Sequence, residues 1–191
     1  MILDLIENYT PKNTQEKHDK ETIITFLKHH PNALHRENTI GHITSSAIVV
    51  NKTMTKVLFA YHKIYDSWAW VGGHNDGEEN PLKVAIKETK EETGLETVTP
   101  YSEDIFMLDV INVKTHQKNG TYIGDHLHLN ITYLLIASED QSLTPSPDEN
   151  LAVKWFNIDD VLKAVKEDRM IPIYQKAFNE IKQLRRNHEP S

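Results

Sequence analysis

Three glutamates that stand close together near the middle of this chain are its strongest chemical signal. Glu88 and Glu92 are four residues apart in a predicted helix, so their negative charges repel each other, and Glu91 lies beside them. The helix dipole also disfavours anions near a C-terminal end. Clustered carboxylates of this kind suit a hard divalent cation such as Mg²⁺ or Mn²⁺. The residue types alone leave a second interpretation open, a solvated acidic helix face.

The helix that carries these glutamates has its own start and stop signals. Asn80 suits the N-cap and Pro81 suits the first helical position. Apolar and threonine side chains then recur at the spacing of one helical face, and Gly94 marks the end of the helix. At about 100° per residue, the glutamates fall on a separate face, roughly a third of a turn from that stripe. The helix therefore has one face for packing and a separate face that carries the three glutamates.

The spacing across this segment resembles the Nudix box, G-x5-E-x7-R-E-U-x-E-E-x-G-U, in which U is a bulky aliphatic residue. The matching positions are Gly73, Glu79, Glu88, Glu91, Glu92, Gly94 and Leu95. Two positions depart from the pattern, because Lys87 replaces the arginine and Thr89 replaces an aliphatic residue. Lysine cannot reproduce the bidentate fork of arginine, so we expect weaker activity or a rearranged carboxylate network.

The resemblance implies an α/β fold, specifically a Nudix-type α/β/α sandwich with a mixed β-sheet. It also implies a metal-dependent hydrolase that splits a pyrophosphate bond with the help of Mg²⁺ or Mn²⁺. By the same resemblance, Glu88, Glu91 and Glu92 are metal ligands, together with the backbone carbonyl of Gly72. Lys87 is expected to pair with one of these acids in the catalytic site.

The general base is less closely defined by the sequence. Many members of the family supply a further glutamate from a loop before a late strand that ends in tryptophan, and Glu149 stands in that place ahead of Trp155. An ordinary polar turn explains the residues around Glu149 equally well. Glu91 or Glu92 is the alternative base, with the remaining acids holding the metal.

Candidate substrate-binding side chains occur on two predicted strands and in one loop. Trp68 and Trp70 alternate in a short strand predicted over 68–71, and either indole could stack on a base. A polar stripe alternates with apolar residues in a later strand. Its members could line the substrate cleft or form an internal row of hydrogen bonds. The candidates for substrate contact are Trp70, His74, His126 and His128, and Asn130 completes the stripe.

Composition limits the remaining classes of function. The chain has 191 residues, no cysteine and a net charge of −7. The absence of cysteine excludes disulfides and thiolate metal sites, and the acidic balance argues against nucleic-acid binding. The sequence shows no signal peptide or membrane span, so we expect a cytoplasmic protein.

Hydrophobic patterns predict helices over 14–29, 158–167 and 172–186, besides the helix after Asn80. Strands are predicted over 43–51, 56–63, 68–71, 105–113, 127–137 and 152–156, with the first two paired and a polar loop containing Asn119–Gly120 before the fifth. We expect an N-terminal helical extension over 1–41, a Nudix hydrolase domain over 42–168 and a packed C-terminal helix over 169–191.

The predicted function is hydrolysis of a small-molecule diphosphate. A nucleotide sugar such as ADP-ribose, or a nucleoside triphosphate, is the expected substrate. The alternative is a catalytically weak module that senses a nucleotide, which Lys87 and Thr89 favour. RNA-cap hydrolysis is disfavoured by the acidic charge. Homodimers are common in the family, so the resemblance also allows a homodimer.

Overall fold

The computed structural model describes residues 1–188, which contain helices, strands and short 3₁₀ turns. The α-helices are α1 (Ile2–Glu7), α2 (Thr14–His29), α3 (Pro81–Thr93) and α4 (Ile171–His188). The strands are β1 (Gly41–Val50), β2 (Lys56–His62), β3 (Ser67–Ala69), β4 (Val71–His74), β5 (Thr99–Pro100), β6 (Met107–Val113), β7 (His116–Lys118), β8 (Thr121–Ile123), β9 (His126–Ile136) and β10 (Asn150–Asn157). Over this range, no helix is long and apolar enough to cross a membrane.

Eight of these strands form one sheet, in which the order β10-β2-β1-β9-β5 is joined by β3 beside β2, β4 beside β1 and β6 beside β9. The predicted α/β class with a mixed β-sheet is confirmed. The chain divides into two compact units. The first unit comprises residues 1–46, 72–85 and 103–133, and the second comprises 47–71, 86–102 and the described residues 134–188.

In the first unit, a buried carboxylate connects α2 to β6. Asn13 caps α2 by accepting a hydrogen bond from the backbone N–H of Glu16 at 2.8 Å. The carboxylate of Glu16 is fully buried and accepts from Tyr9 Oη at 2.8 Å, Lys12 N at 2.9 Å and Leu108 N at 3.1 Å. Because these donors satisfy the charge, Glu16 has a structural role in this unit.

In the second unit, aromatic rings of α4 pack against β2. The rings of Phe59 and Tyr174 lie 4.9 Å apart between centroids, and Phe178 lies 6.2 Å from Phe59. All three side chains are almost fully buried. Strand β10 pairs antiparallel with β2, from Asn150 opposite His62 to Asn157 opposite Lys56. This pairing fixes the start of β10 and, with it, the position of the preceding loop.

Most predicted elements are confirmed, including the helix over 14–29, which ends where expected. The antiparallel pairing of the first two strands is also confirmed. The polar loop around Asn119–Gly120 contains the hairpin of β7 and β8, whose turn places both residues at positive φ. Asparagine and glycine tolerate that conformation better than other residues do.

Two predicted elements are wrong. The helix expected over 158–167 is reduced to a 3₁₀ turn at Val161–Ala164, and Lys166 N donates instead to Ser67 Oγ at 2.8 Å. This tertiary hydrogen bond uses a backbone donor that a continuing helix would need. The strand expected over 68–71 is interrupted at Trp70, which belongs to neither β3 nor β4, so Trp68 and Trp70 do not share a strand face.

Candidate functional site

The helix that carries the box glutamates begins and ends at the predicted residues. Asn80 Oδ1 accepts a hydrogen bond from Lys83 N at 3.2 Å, and α3 starts at Pro81. Glu78 adds support, because its carboxylate accepts from Lys83 Nζ at 2.5 Å and from Asn80 N at 3.1 Å. Gly94 ends the helix at a φ of +74°, a conformation that favours glycine. The local sequence is therefore sufficient to place this helix.

Gly72, in the strand before this helix, packs against β1 too closely for any other residue. A Cβ at this position would lie 2.6 Å from both Ser45 O and Ser46 Oγ, and 2.7 Å from Ser46 Cα. Two of these contacts are backbone atoms, which cannot rotate away. The proposed role of the Gly72 carbonyl as a metal ligand stays a prediction, and close packing gives an independent reason for the glycine.

In the second unit, three glutamates converge to form an acidic group, which comprises Glu88, Glu92 and Glu149. One carboxylate oxygen of each lies within 4.8 Å of those of the other two. Glu88 and Glu92 occupy successive turns of α3, and Glu149 directly precedes β10. The structure thus brings the predicted base, Glu149, next to two of the predicted metal ligands.

Burial makes the acidic group electrostatically costly. The side chain of Glu92 is only 3% exposed, and its Oε2 accepts a hydrogen bond from Asn150 Nδ2 at 3.0 Å. Burial raises the pKa of Glu88, the ammonium of Lys87 opposes that shift, and the charges of Glu91 and Glu149 add to it. Like charges that are withdrawn from water are stable together only when a cation or a proton compensates them.

The residues present fit a hard divalent cation. Carboxylate oxygens are the ligands that Mg²⁺ and Mn²⁺ prefer. Asn150 contributes a further observation, because its Oδ1 is buried and finds no hydrogen-bond donor within residues 1–188. An unpaired buried carbonyl oxygen is costly, and a cation or one of its bound waters would satisfy it. The side-chain atoms that could bind a cation at this end of α3 are therefore all oxygens.

Lys87 and Glu91 form an ion pair on the exposed side of α3. Lys87 Nζ lies 3.2 Å from Glu88 Oε1 and 3.3 Å from Glu91 Oε2. The predicted pairing of Lys87 with an acid is thus present, and it raises the pKa of Lys87, chiefly through the hydrogen bond to Glu88. The side chain of Glu91 is 57% exposed and lies outside the acidic group. Its assignment as a metal ligand stays a prediction.

The first unit contains a histidine group, which comprises His42, His74, His126 and His128. The ring centroid of His42 lies 4.9 Å from that of His74, 5.0 Å from His126 and 5.1 Å from His128. The rings of His126 and His128 are 5.1 Å apart, and their Nε2 atoms approach to 3.2 Å. The three histidines that were predicted as substrate contacts therefore lie together around a fourth.

Burial keeps two of these imidazoles neutral near pH 7. It lowers the pKa of His74 to about 3, and the positive charge of Arg36 acts in the same direction. The pKa of His42 is also lowered, mainly by burial, although a hydrogen bond to the Asn38 carbonyl opposes the shift. Neutral imidazoles attract an anion weakly, but their free nitrogen lone pairs can bind a metal ion.

The polar stripe of β9 continues into an internal row of hydrogen bonds. Asn130 is buried, and its Oδ1 accepts from Thr44 Oγ1 at 2.8 Å and from Ser46 Oγ at 2.9 Å. Its Nδ2 donates to Thr132 Oγ1 at 3.0 Å. Of the two alternatives for the polar stripe, a substrate cleft or an internal row of hydrogen bonds, Asn130 thus belongs to the hydrogen-bond row.

His42 is the site residue that the sequence analysis missed. A signal for it exists, because His42, Thr44 and Ser46 alternate along β1 and place three polar side chains on one face. That face resembles the polar stripe of β9, and Asn130 contacts two of its members. Two polar strand faces that each begin with histidine could have indicated a common site.

Trp70 lies in the second unit, between β3 and β4. Its indole ring packs edge-on against the ring of Tyr174, with centroids 5.4 Å apart, and its backbone N–H donates to Tyr174 Oη at 3.3 Å. The residue is half-buried, and Tyr174 of α4 covers one side of it. The predicted stacking of Trp70 on a base is compatible with this placement and stays a prediction.

Comparison with known proteins places these features in a family. A sequence model described as the NUDIX domain matches residues 41–177. A search of curated proteins finds no match.

Three solved structures share the fold. A NUDIX-family hydrolase from Clostridium perfringens is 23% identical, with a TM-score of 0.52, over 73% of this chain and 97% of the other. An Ap4A hydrolase from C. elegans, solved as a binary complex, is 19% identical, with a TM-score of 0.54, over 74% and 98%. The NUDIX domain of Shewanella oneidensis NrtR, solved with ADP ribose, is 14% identical, with a TM-score of 0.52, over 82% and 97%. At these identities, the similarity shows the fold alone.

Proposed function

The chain belongs to the Nudix family of hydrolases, and from this premise we propose that it splits a pyrophosphate bond with the help of Mg²⁺ or Mn²⁺. The proposed substrate is a nucleoside diphosphate derivative, such as ADP-ribose or another nucleotide sugar, or a nucleoside triphosphate. The observation that carries the proposal is the acidic group, in which three carboxylates converge at the end of the box helix. Ap4A and ADP ribose, named for two of the similar structures, belong to the same chemical class of phosphoanhydrides.

Glu88 and Glu92 are the residues that we propose to hold the divalent cation, with Glu91 joining them once it separates from Lys87. A cation bound there supplies positive charge to the phosphate oxygens and helps to activate water. Asn150 holds the carboxylate of Glu92 in place through its hydrogen bond. Lys87 likewise holds the carboxylate of Glu88 through a hydrogen bond. Its ammonium cannot form the bidentate contact that the arginine at this position of the Nudix box can form.

Glu149 is the proposed general base. In the hydrolysis, a water oxygen forms a new bond to phosphorus while the bridging oxygen–phosphorus bond breaks and the leaving group retains the electron pair. Glu149 accepts the proton that the water loses. A carboxylate that is close to Glu88 and Glu92 is suitably located for this transfer, because proton transfer requires hydrogen-bond contact with the attacking water.

Trp70 is the proposed contact for the base of a nucleotide, since an indole held on one side can stack on a planar ring. The substrate contacts predicted for His74, His126 and His128 stay predictions, as do a homodimer and a cytoplasmic location.

The test is product release from a panel of nucleoside triphosphates, dinucleoside polyphosphates and nucleotide sugars, with Mg²⁺, Mn²⁺ or a chelator. We expect turnover of one substrate class that requires the metal. Glu91→Gln should abolish it, and Glu149→Gln should reduce it by about 10²–10⁴-fold with little change in metal affinity. Glu96→Gln, at an exposed glutamate just beyond α3, is the matched control and should keep full activity. Wild-type turnover in Glu91→Gln would refute its role as a ligand.

A nucleotide sensor is the second candidate, because the ammonium of Lys87 already lies between Glu88 and Glu91. Such a cation would compete with a metal ion for the same carboxylates. Saturable nucleotide binding with no turnover across the panel would favour the sensor over the hydrolase.

A further inference from the structure

We propose that His42, His74 and His128, all in the first unit, bind a transition-metal ion of the zinc class. One ring nitrogen from each lies within 4.8 Å of those of the other two. Imidazole nitrogen is the ligand that Zn²⁺, Cu²⁺ and Ni²⁺ prefer, whereas Mg²⁺ prefers oxygen. The proposal concerns a different metal class from the one proposed for the acidic group, and it does not depend on the hydrolase activity.

The nitrogen atoms of His42 are the strongest support for this site. His42 is only 4% exposed, and its Nδ1 lies 3.0 Å from the carbonyl oxygen of Asn38, to which it can donate. Its Nε2 is buried and finds no hydrogen-bond partner within residues 1–188. Zinc-binding histidines commonly donate one N–H to a carbonyl and present the other nitrogen to the metal. His42 can donate from Nδ1 in the same way, which leaves Nε2 for the metal, and a buried nitrogen without any partner is otherwise costly.

The distances require only small adjustments on metal binding. Two nitrogens bound to one tetrahedral zinc at about 2.0–2.1 Å lie roughly 3.3 Å apart. The observed separations of up to 4.8 Å can shorten by rotation of the imidazole rings. Three histidines with one remaining coordination position form a common zinc arrangement.

His126 has a positioning role in this proposal. Its Nδ1 lies 2.8 Å from the carbonyl oxygen of Gly124, and its Nε2 lies 3.2 Å from Nε2 of His128. One of these two Nε2 atoms must carry a proton for the contact to be a hydrogen bond. His126 therefore orients the ring of His128 through this contact.

The charged groups near His42 and His74 also bear on metal binding. Arg36 lies close enough to influence both rings, but its guanidinium pairs with the carboxylate of Asp76. This pairing reduces the positive charge that an incoming cation would meet.

The experiment is a calorimetric Zn²⁺ titration of the whole, chelator-stripped protein in excess Mg²⁺. The critical variant is His42→Asn, because the asparagine amide can still donate to the Asn38 carbonyl while the Nε2 ligand is removed. His18→Asn, at an exposed position of α2, is the matched control. A double variant, Glu88→Gln with Glu92→Gln, removes the carboxylates that could also bind zinc.

We expect one equivalent of Zn²⁺ to bind to the wild type, to His18→Asn and to the double glutamate variant. In His42→Asn the affinity should fall by at least about 100-fold, because losing a ligand costs more than losing a residue that only orients one, for which the loss reaches about 100-fold. Circular dichroism shows whether His42→Asn has folded, and His74→Asn, at a less buried position, is the replacement if it has not. Loading with Co²⁺ should give a visible spectrum typical of tetrahedral nitrogen ligands, which His42→Asn and His74→Asn lose and His18→Asn keeps.

Two results would overturn the proposal. One is zinc binding that survives His42→Asn and His74→Asn but disappears in the double glutamate variant, since zinc would then bind the carboxylates. The other is the absence of any Zn²⁺ binding to the folded wild type. Neither result affects the Mg²⁺-dependent turnover that tests the proposed hydrolase.

Discussion

The amide of Asn150 donates to the carboxylate of Glu92 across 3.0 Å, linking the first residue of β10 to the last turns of α3. Both side chains are almost fully buried, so the hydrogen bond stabilises a charge that water cannot reach. Asn150 directly follows Glu149, and the same contact therefore helps to hold the proposed base beside Glu88 and Glu92.

Asn150→Ala should destabilise the protein by about 1–3 kcal/mol, because it removes one hydrogen-bond donor from a buried carboxylate. Urea unfolding in the presence of chelator measures this change without a contribution from bound metal. Asn179→Ala is the matched control, since that side chain is exposed and its Oδ1 accepts a hydrogen bond from Gln175 Nε2 at the surface. Equal changes in the free energy of unfolding for the two variants would show that the Asn150 hydrogen bond does not stabilise the protein more than a surface contact does.

Lys87→Arg should raise the turnover of the hydrolase. The ammonium of Lys87 contacts both Glu88 and Glu91, and the fork of arginine can hold two oxygens at fixed geometry. One further hydrogen bond, at about 1 kcal/mol, corresponds to roughly a fivefold gain. Steady-state kinetics at saturating Mg²⁺ measure it, and Lys90→Arg, at an exposed position of the same helix, is the control. Slower turnover in Lys87→Arg would mean that this site is adapted to lysine.

Gly72→Ala should destabilise the protein by about 1–3 kcal/mol or more, because the new methyl group would overlap Ser45 O and the backbone of Ser46. Thermal unfolding compares it with Gly124→Ala, whose added Cβ would come no closer than 3.8 Å to its nearest neighbour, Tyr122. The control should change stability by about 0.5 kcal/mol or less. A Gly72→Ala protein as stable as the control would contradict the close packing of β4 on β1.

Glu167→Gln should stabilise the protein at neutral pH. Burial raises the pKa of Glu167, and Arg169 only partly opposes that shift. A carboxyl whose folded-state pKa is raised contributes stability below its unfolded pKa, and it loses that contribution as the pH rises through the folded pKa. The melting temperature of the variant should thus exceed that of wild type at pH 7, and the difference should shrink below about pH 4.5. A constant difference at all pH values would contradict this assignment.

The local sequence determined the elements whose signals lie within a few residues of one another. Asn80, Pro81 and Gly94 set the limits of α3, since a cap, a fixed φ and a left-handed turn act over a single helical turn. The spacing of the box glutamates likewise identified the family, because it reflects one helix and one loop. Alternating polar residues likewise indicated the polar stripe of β9, because alternation along one strand is also a local signal.

Only the tertiary structure decided which distant side chains meet. The pairing of β10 with β2 places Glu149 beside Glu88 and Glu92. From the sequence alone, a general base at Glu149 and an ordinary polar turn were equally good interpretations. Ser67 takes the N–H of Lys166, a donor that the last turn of the helix expected over 158–167 would have needed. His42 meets the other histidines through packing between residues far apart in the chain. Such contacts depend on strand pairing and burial across long sequence separations, which local propensity does not contain.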